Sequence, residues 1–273
     1  MPAPVSSVSI VRVEAGSPHS AGDILVTEEP LEIRLGHGPL DDRKEFRLSV
    51  TMRTPGSDEE LALGFLFTEG VINAVGDAVR VVHCEDVKDE ERGNVVRVEL
   101  QPGLDLDPTR WQRNFYTSSS CGVCGKSSIE AVHAQCSKPI QPWGAVEPAF
   151  ITSLPERMRA GQSVFRHTGG IHAAALFSRE GKLLLLREDV GRHNAVDKVI
   201  GAALLGGVSV HASAMLVSGR AGFELVQKCA VAGIPLMAAV GAPSSLAVQL
   251  ARARGITLIG FLRGDRFNDY SAP

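Results

Sequence analysis

The second half of the chain alternates strand and helix in a regular order, and that rhythm restricts the fold more than any other feature. A helix over Arg192 to Leu205 precedes a strand at Ala214 to Val217, and a helix over Ala221 to Ala232 precedes a strand at Leu236 to Val240. A third helix, Ser244 to Ala253, precedes the strand "ITLIGFL". Strands spaced by helices predict a mostly parallel sheet with both faces covered. Just upstream, "IHAAALFS" and "KLLLLRE" flank Arg179-Glu180-Gly181, which reads as a hairpin. The first half differs in character. Its β-branched runs "VSIVRVEAG", "LEIRL", "EFRLSVTMRT", "VRVVHCEDV" and "VVRVEL" read as strands with short connections. One helix interrupts them: Ser57 and Glu60 have capping-box spacing ahead of "LALGFLF", and Gly70 is placed to end it.

Together these patterns predict an α/β chain, α+β overall. A β-rich N-terminal domain spans 1-117, a mobile CxxC loop 118-128, and an α/β domain 129-273. Within the last, "IEAVHAQC" reads as a helix capped by Ser127 or Ser128, followed by the Pro-rich connector "SKPIQPWGAVEP".

In open α/β sheets, ligands settle outside the C-terminal ends of the strands. The segments that follow strands here are "EDVGRHN", "SGR", "GAPSS" and "RGDR". They carry Arg187, Arg192, His193, Ser218, Arg220, Ser244 and Arg263 toward one edge. Guanidinium forks and helix starts suit phosphate groups, so an anionic, phosphate-bearing ligand is expected there. Taken singly, each of these residues also fits an ordinary solvated helix start. His172 follows Gly169-Gly170 in a stretch able to approach a ligand closely. His193 and Asn194 open a predicted helix, where Asn equally reads as a cap.

Composition removes several function classes. A net charge of −3 leaves no basic surplus for a broad grip on nucleic acid. No apolar run reaches the ~18 residues of a membrane span, and "MPAPVSSVSIVRVEAG" lacks the basic start and apolar core of a signal peptide. Five cysteines, three of them isolated (Cys84, Cys136 and Cys229), make no disulfide framework and fit a reducing cytoplasm. Cys84 and Cys229 read most simply as small core residues.

The other two, Cys121 and Cys124, sit in "SSSCGVCGKSS". A CxxC pair is half of a zinc site, and His133 with Cys136 are the nearest residues able to complete one, with little chain to wrap back. Nucleobase-deaminase zinc needs proline before the first cysteine and an H-x-E segment; here Ser120 precedes Cys121, and His172-Ala173-Ala174 lacks the glutamate. A thioredoxin-like pair opens a helix directly after a strand, whereas Gly122, Gly125 and the flanking serines write a loop. A mobile thiol beside Lys126 suits a carrier that accepts a group and swings to a second partner. A surface turn with no role is the plainest alternative.

At this point the residues resemble a known family. "SSSCGVCGK", "TGGIHAAAL", "REDVGRHNAVDKVIG", "SGRAGFELVQK" and "GITLIGFLRGDRFNDY" closely resemble the formate dehydrogenase accessory sulfurtransferase family, FdhD, and "MRTPGSDEELALGFLFTEGVI" is similar to its N-terminal signature. The resemblance runs from about Glu28 to Tyr270. At Leu35 to Asp42, "LGHGPLDD" departs from the short Asn-containing turn frequent in the family.

The resemblance implies a cytoplasmic sulfur carrier with a cytidine-deaminase-like C-terminal α/β domain. Such a carrier takes persulfide sulfur from a cysteine desulfurase and passes it to the metal of Mo-bis(molybdopterin guanine dinucleotide), its bound substrate, for the formate dehydrogenase catalytic subunit. By motif position Cys121 holds the persulfide, and Phe261, Leu262, Arg263, Gly264, Asp265 and Arg266 lie on the nucleotide part. Thr168, Gly169, Gly170, His172, Arg192, His193, Asn194, Ser218, Gly219 and Arg220 complete the expected cofactor-binding set. Cys124 is expected to assist release by closing a disulfide with Cys121. No structural metal, nucleic acid or membrane partner is expected; a homodimer is. The competing reading is a non-catalytic molybdenum cofactor-binding chaperone for formate dehydrogenase.

Overall fold

The computed structural model describes residues 3–104 and 139–271. β1 (Val5–Glu14) and β2 (Ser17–Val26) form an antiparallel hairpin of their own, with Glu14 opposite Ser17. Ala15 and Gly16 take positive φ, 50° and 84°, as a type I′ two-residue turn requires. "SPHSAGDILV" has too few β-branched residues to announce β2 by itself; its pairing with β1 defines it.

β3 (Glu29–His37), β4 (Lys44–Arg53), β5 (Ala78–His83) and β6 (Val95–Leu100) build a four-stranded sheet in the order β4-β3-β6-β5. Between β4 and β5 lies α1 (Asp58–Thr68). Its Leu61, Leu63 and Leu66 pack with Leu31, Ile33, Val96 and Val98 of the sheet. The capping box does not form. Ser57 is left-handed (φ 56°) and its side chain makes no cap bond. Asp58 is held instead by the fully buried Arg53 (2.9 Å), and Glu60 by Arg187. The expected stop at Gly70 does form: its φ is 73°, and the Val71 N–H reaches back to the Leu66 carbonyl at 2.8 Å.

The later half contains α2 (Pro148–Gly161), α3 (Ser163–Thr168), β7 (His172–Phe177), β8 (Leu183–Asp189), α4 (Arg192–Gly206), β9 (Ala214–Val217), α5 (Phe223–Ala232), β10 (Leu236–Ala239), α6 (Ser245–Arg254), β11 (Thr257–Arg263) and β12 (Arg266–Asp269). The hairpin around Arg179-Glu180-Gly181 is present, and the strand–helix alternation follows the expected boundaries closely. The sheet runs β12-β11-β10-β9-β7-β8. It is mixed rather than mostly parallel: β9, β10 and β11 pair in parallel, while β7 is antiparallel to both β8 and β9, and β12 to β11. The cause is connection length. A hairpin and the tight Gly264-Asp265 turn can only return the chain antiparallel, whereas helices carry it back for parallel pairing. Apolar clusters fill both faces, one under α4, α5 and α6, the other under α2.

α1 and α4 join the two sheets at near backbone contact. A Cβ on Gly64 would lie 1.9 Å from the Asp197 carbonyl oxygen, and one on Gly201 would lie 1.9 Å from that of Glu60. Beside this crossing the buried Lys228 ammonium meets Asp197 and Thr68, both at 2.9 Å. Among the described residues no helix is long and apolar enough to cross a membrane.

Candidate functional site

β8, β9, β10 and β11 point the same way, so Asp189, Val217, Ala239 and Arg263 finish along one edge, where β7 and β12 begin. The segments leaving this edge are laced by backbone bonds. The Gly241 N–H donates to the Gly219 carbonyl at 2.9 Å, and the Phe261 N–H to the Gly241 carbonyl at 3.0 Å. At Gly241 this lacing leaves little space for a side chain, since a Cβ would come to 3.0 Å from the Arg220 backbone. Phe261 itself is left-handed at φ 52° and 43% exposed.

A cavity of about 660 Å³ opens at this edge, within the ~300–1,000 Å³ usual for small-molecule sites. Met158, Phe165, Ile171 and Leu262 give it an apolar wall, while His172, Ser218, Arg263 and the Gly169-Gly170 stretch supply polar groups. Ser218 is fixed by two bonds: its Oγ accepts from the Ala173 N–H and its own N–H donates to the Ala173 carbonyl, both at 2.9 Å. Burial pushes the His172 imidazole below the ordinary histidine value. The neighbouring Arg192 and His193 push it the same way, and Asp189 pulls against them. The result is a neutral ring, able to donate from one nitrogen and accept at the other. His193 pairs with Glu224 at 2.7 Å, bridging the first turns of α4 and α5.

Behind the cavity Asp189 gathers donors. Its carboxylate receives Lys198 Nζ at 2.7 Å, the Gly191 N–H at 2.8 Å, Asn194 Nδ2 at 3.0 Å and the Thr54 N–H at 3.2 Å. Both Asp189 and Lys198 are essentially fully buried, and Lys198 also donates to the Thr54 carbonyl. A paired and fully hydrogen-bonded charge is the form in which a carboxylate tolerates such burial.

The expected residues therefore divide. Gly169, Gly170, His172, Ser218, Leu262 and Arg263 line the cavity. Gly219 and Arg192 stand beside His172. Arg220, Gly264, Asp265 and Arg266 are exposed around the edge. The Thr168 hydroxyl folds back to the Val164 carbonyl. Asn194 is buried, its amide donating to the Met52 carbonyl and to Asp189 while Thr51 donates to its oxygen. Arg187 does not join the edge: Glu60 of α1 holds its guanidinium through both carboxylate oxygens. Ser244 caps α6, accepting from the Ala247 N–H at 3.2 Å. Cys121, Cys124, His133 and Cys136 lie outside the described residues. Among the described residues no three His, Cys, Asp or Glu side chains are grouped to hold a metal ion.

The sequence reading missed the wall supplied by α2 and α3: Met158, Arg159, Gln162 and Phe165. Ile151, Leu154 and Met158 recur at helical spacing and are buried, but Pro155 inside the run obscures the pattern.

With the site described, its relatives can be set beside it. The FdhD/NarQ family model matches residues 26–273. The chain is 49% identical to "Sulfur carrier protein FdhD" of Streptomyces avermitilis, covering 96% of this chain and 92% of the relative. It is 51% identical to the protein of the same name from Mycobacterium tuberculosis, over 91% of this chain and 90% of that one. A solved structure described as a formate dehydrogenase accessory protein, from Desulfotalea psychrophila, superposes with a TM-score of 0.74 at 27% identity, covering 98% and 97% of the two chains.

Proposed function

The chain belongs to the FdhD/NarQ family, and from that premise we propose that it is a sulfur carrier for formate dehydrogenase, loaded as a persulfide on Cys121. The observation that carries this reading is the near full-length likeness to sulfur carrier proteins across a range that includes the Cys121–Cys124 pair. The sulfur donor is a cysteine desulfurase. The Cys121 thiolate attacks the outer sulfur of the donor's persulfide, the donor thiolate leaves, and Cys121 carries the sulfane sulfur. For release at the sulfide level, the Cys124 thiol attacks the inner sulfur of the Cys121 persulfide. A Cys121–Cys124 disulfide forms, and hydrogen sulfide leaves with the two electrons the thiols supply.

The receiving substrate is the molybdenum bis-pterin guanine dinucleotide destined for the formate dehydrogenase catalytic subunit, bound at the sheet edge. The cavity's size supports a nucleotide-sized part, its apolar wall a flat ring, and Arg263 on its lining with Arg192 beside His172 an anionic portion. Gly264, Asp265 and Arg266 extend the contact along the exposed turn. The strand–helix succession after the β7–β8 hairpin supports a cytidine-deaminase-like architecture for this half. The working unit is a cytoplasmic homodimer.

The test is intact mass. Incubated with a cysteine desulfurase and free cysteine, without reductant, the protein gains one sulfur; reductant removes it, and Cys121→Ala never acquires it. If a competent desulfurase adds no sulfur, the carrier reading falls and a cofactor-binding chaperone replaces it.

A further inference from the structure

Gln162 stands at the junction of α2 and α3, on the lining of the cavity, and is only 3% exposed. Its backbone N–H donates to the Arg159 carbonyl at 3.2 Å. Its carboxamide caps neither helix and has no hydrogen-bond partner among the described residues. An amide that faces a cavity without a protein partner keeps its donor and its acceptor for whatever fills that cavity. In a cavity lining, such a group marks the place where a ligand completes the pairing.

The chemistry of that partner is narrow. A carboxamide offers one acceptor and one donor side by side in a plane. A ring satisfies both at once when it presents an adjacent N–H and C=O, the edge of a cyclic amide. The surroundings fit such a ring: Met158, Phe165, Ile171 and Leu262 provide apolar surface for its faces. Arg159 is held over the Phe165 ring at 4.6 Å, which stiffens this wall. We propose that Gln162 is a specificity residue that reads the cyclic-amide edge of the ring bound here, the N–H and C=O pair that guanine and pterins share. The inference rests on the cofactor reading above and goes beyond it by assigning recognition of the ring to one side chain.

The experiment is calorimetric titration of the full-length protein with GDP, inosine diphosphate, 6-hydroxymethylpterin and pyrophosphate. GDP and inosine diphosphate share the cyclic-amide edge, so the wild type binds them within about threefold of each other. Q162L weakens both by about tenfold or more and leaves pyrophosphate binding unchanged, which excludes simple unfolding. Q162E keeps the side chain's size but only accepts. It takes the ring N–H and 2-amino group of GDP and repels the lone carbonyl of inosine diphosphate, so a preference of about tenfold for GDP appears. The same Q162L loss on hydroxymethylpterin alone also supports the proposal and assigns the ring to the pterin. Equal binding of both rings by Q162L and wild type, with no discrimination by Q162E, overturns the role of Gln162 and leaves the cofactor site standing. A wild type that binds neither ring overturns the cofactor reading itself.

Discussion

His172 illustrates how position sets chemistry for a single side chain. Burial and the charges of Arg192 and His193 lower its pKa, with Asp189 as the opposing neighbour. The unfolded chain therefore takes up the proton first as the medium becomes acidic. The stabilising contribution is complete above the unfolded value of about 6.5 and is lost as pH falls through the lower folded value. Between pH 7 and pH 5 the wild-type unfolding midpoint should drop more than that of His172→Gln, measured by thermal denaturation at matched ionic strength. A His172 ring titrating by NMR at or above the ordinary value contradicts the account. Phe261 makes a related point about backbone. A non-glycine residue in the left-handed region costs stability, and here it is kept exposed at the rim between Gly260 and the buried Leu262.

At the scale of elements, the α1–α4 crossing depends on two hydrogen atoms. Gly64→Ala or Gly201→Ala drives a methyl group into an opposing carbonyl, and neither backbone can yield without separating the helices. Each should cost about 1–3 kcal/mol or more. Gly76→Ala, where a Cβ meets nothing within 4 Å, should cost little. Urea denaturation of the three variants decides the matter, and equal stabilities would sink the close-packing account. This crossing also shows what a sequence reveals and what it hides. The β9–α5–β10–α6–β11 succession was legible because each element carries its own apolar pattern and both helices close on a glycine. So was the gathering of Ser218 and Arg263, because strand direction follows from topology, while His172 was marked only by the glycines before it. Three things were not legible. Gly64 and Gly201 look like helix weaknesses until the partner backbone is placed. Arg187 looks like an edge cation until Glu60 arrives from 127 residues away. Gln162 and the α2 wall were hidden because Pro155 breaks the pattern that announces a helix.

At the scale of the molecule, the β1–β2 hairpin is an appendage. Among the described residues it pairs with neither larger sheet and packs on α3, and it lies almost wholly before the family match begins at residue 26. Val11 and Val13 remain 71% and 62% exposed on it. Deleting residues 4–25 should shift the thermal midpoint by only ~2–4 °C, the equivalent of about 1 kcal/mol in a chain of this size. A fall of more than about 10 °C would make the hairpin integral to the fold. The interior behaves oppositely, and Asp189 is the reason. Thr54, in the segment after β4, donates its N–H to Asp189 and accepts from Lys198 at its carbonyl, so the two sheets cannot part without stripping both partners from the buried Asp189–Lys198 pair and opening it to water. Two architectures written separately along the chain are thereby obliged to melt as one cooperative body, and the ligand edge inherits the rigidity of both.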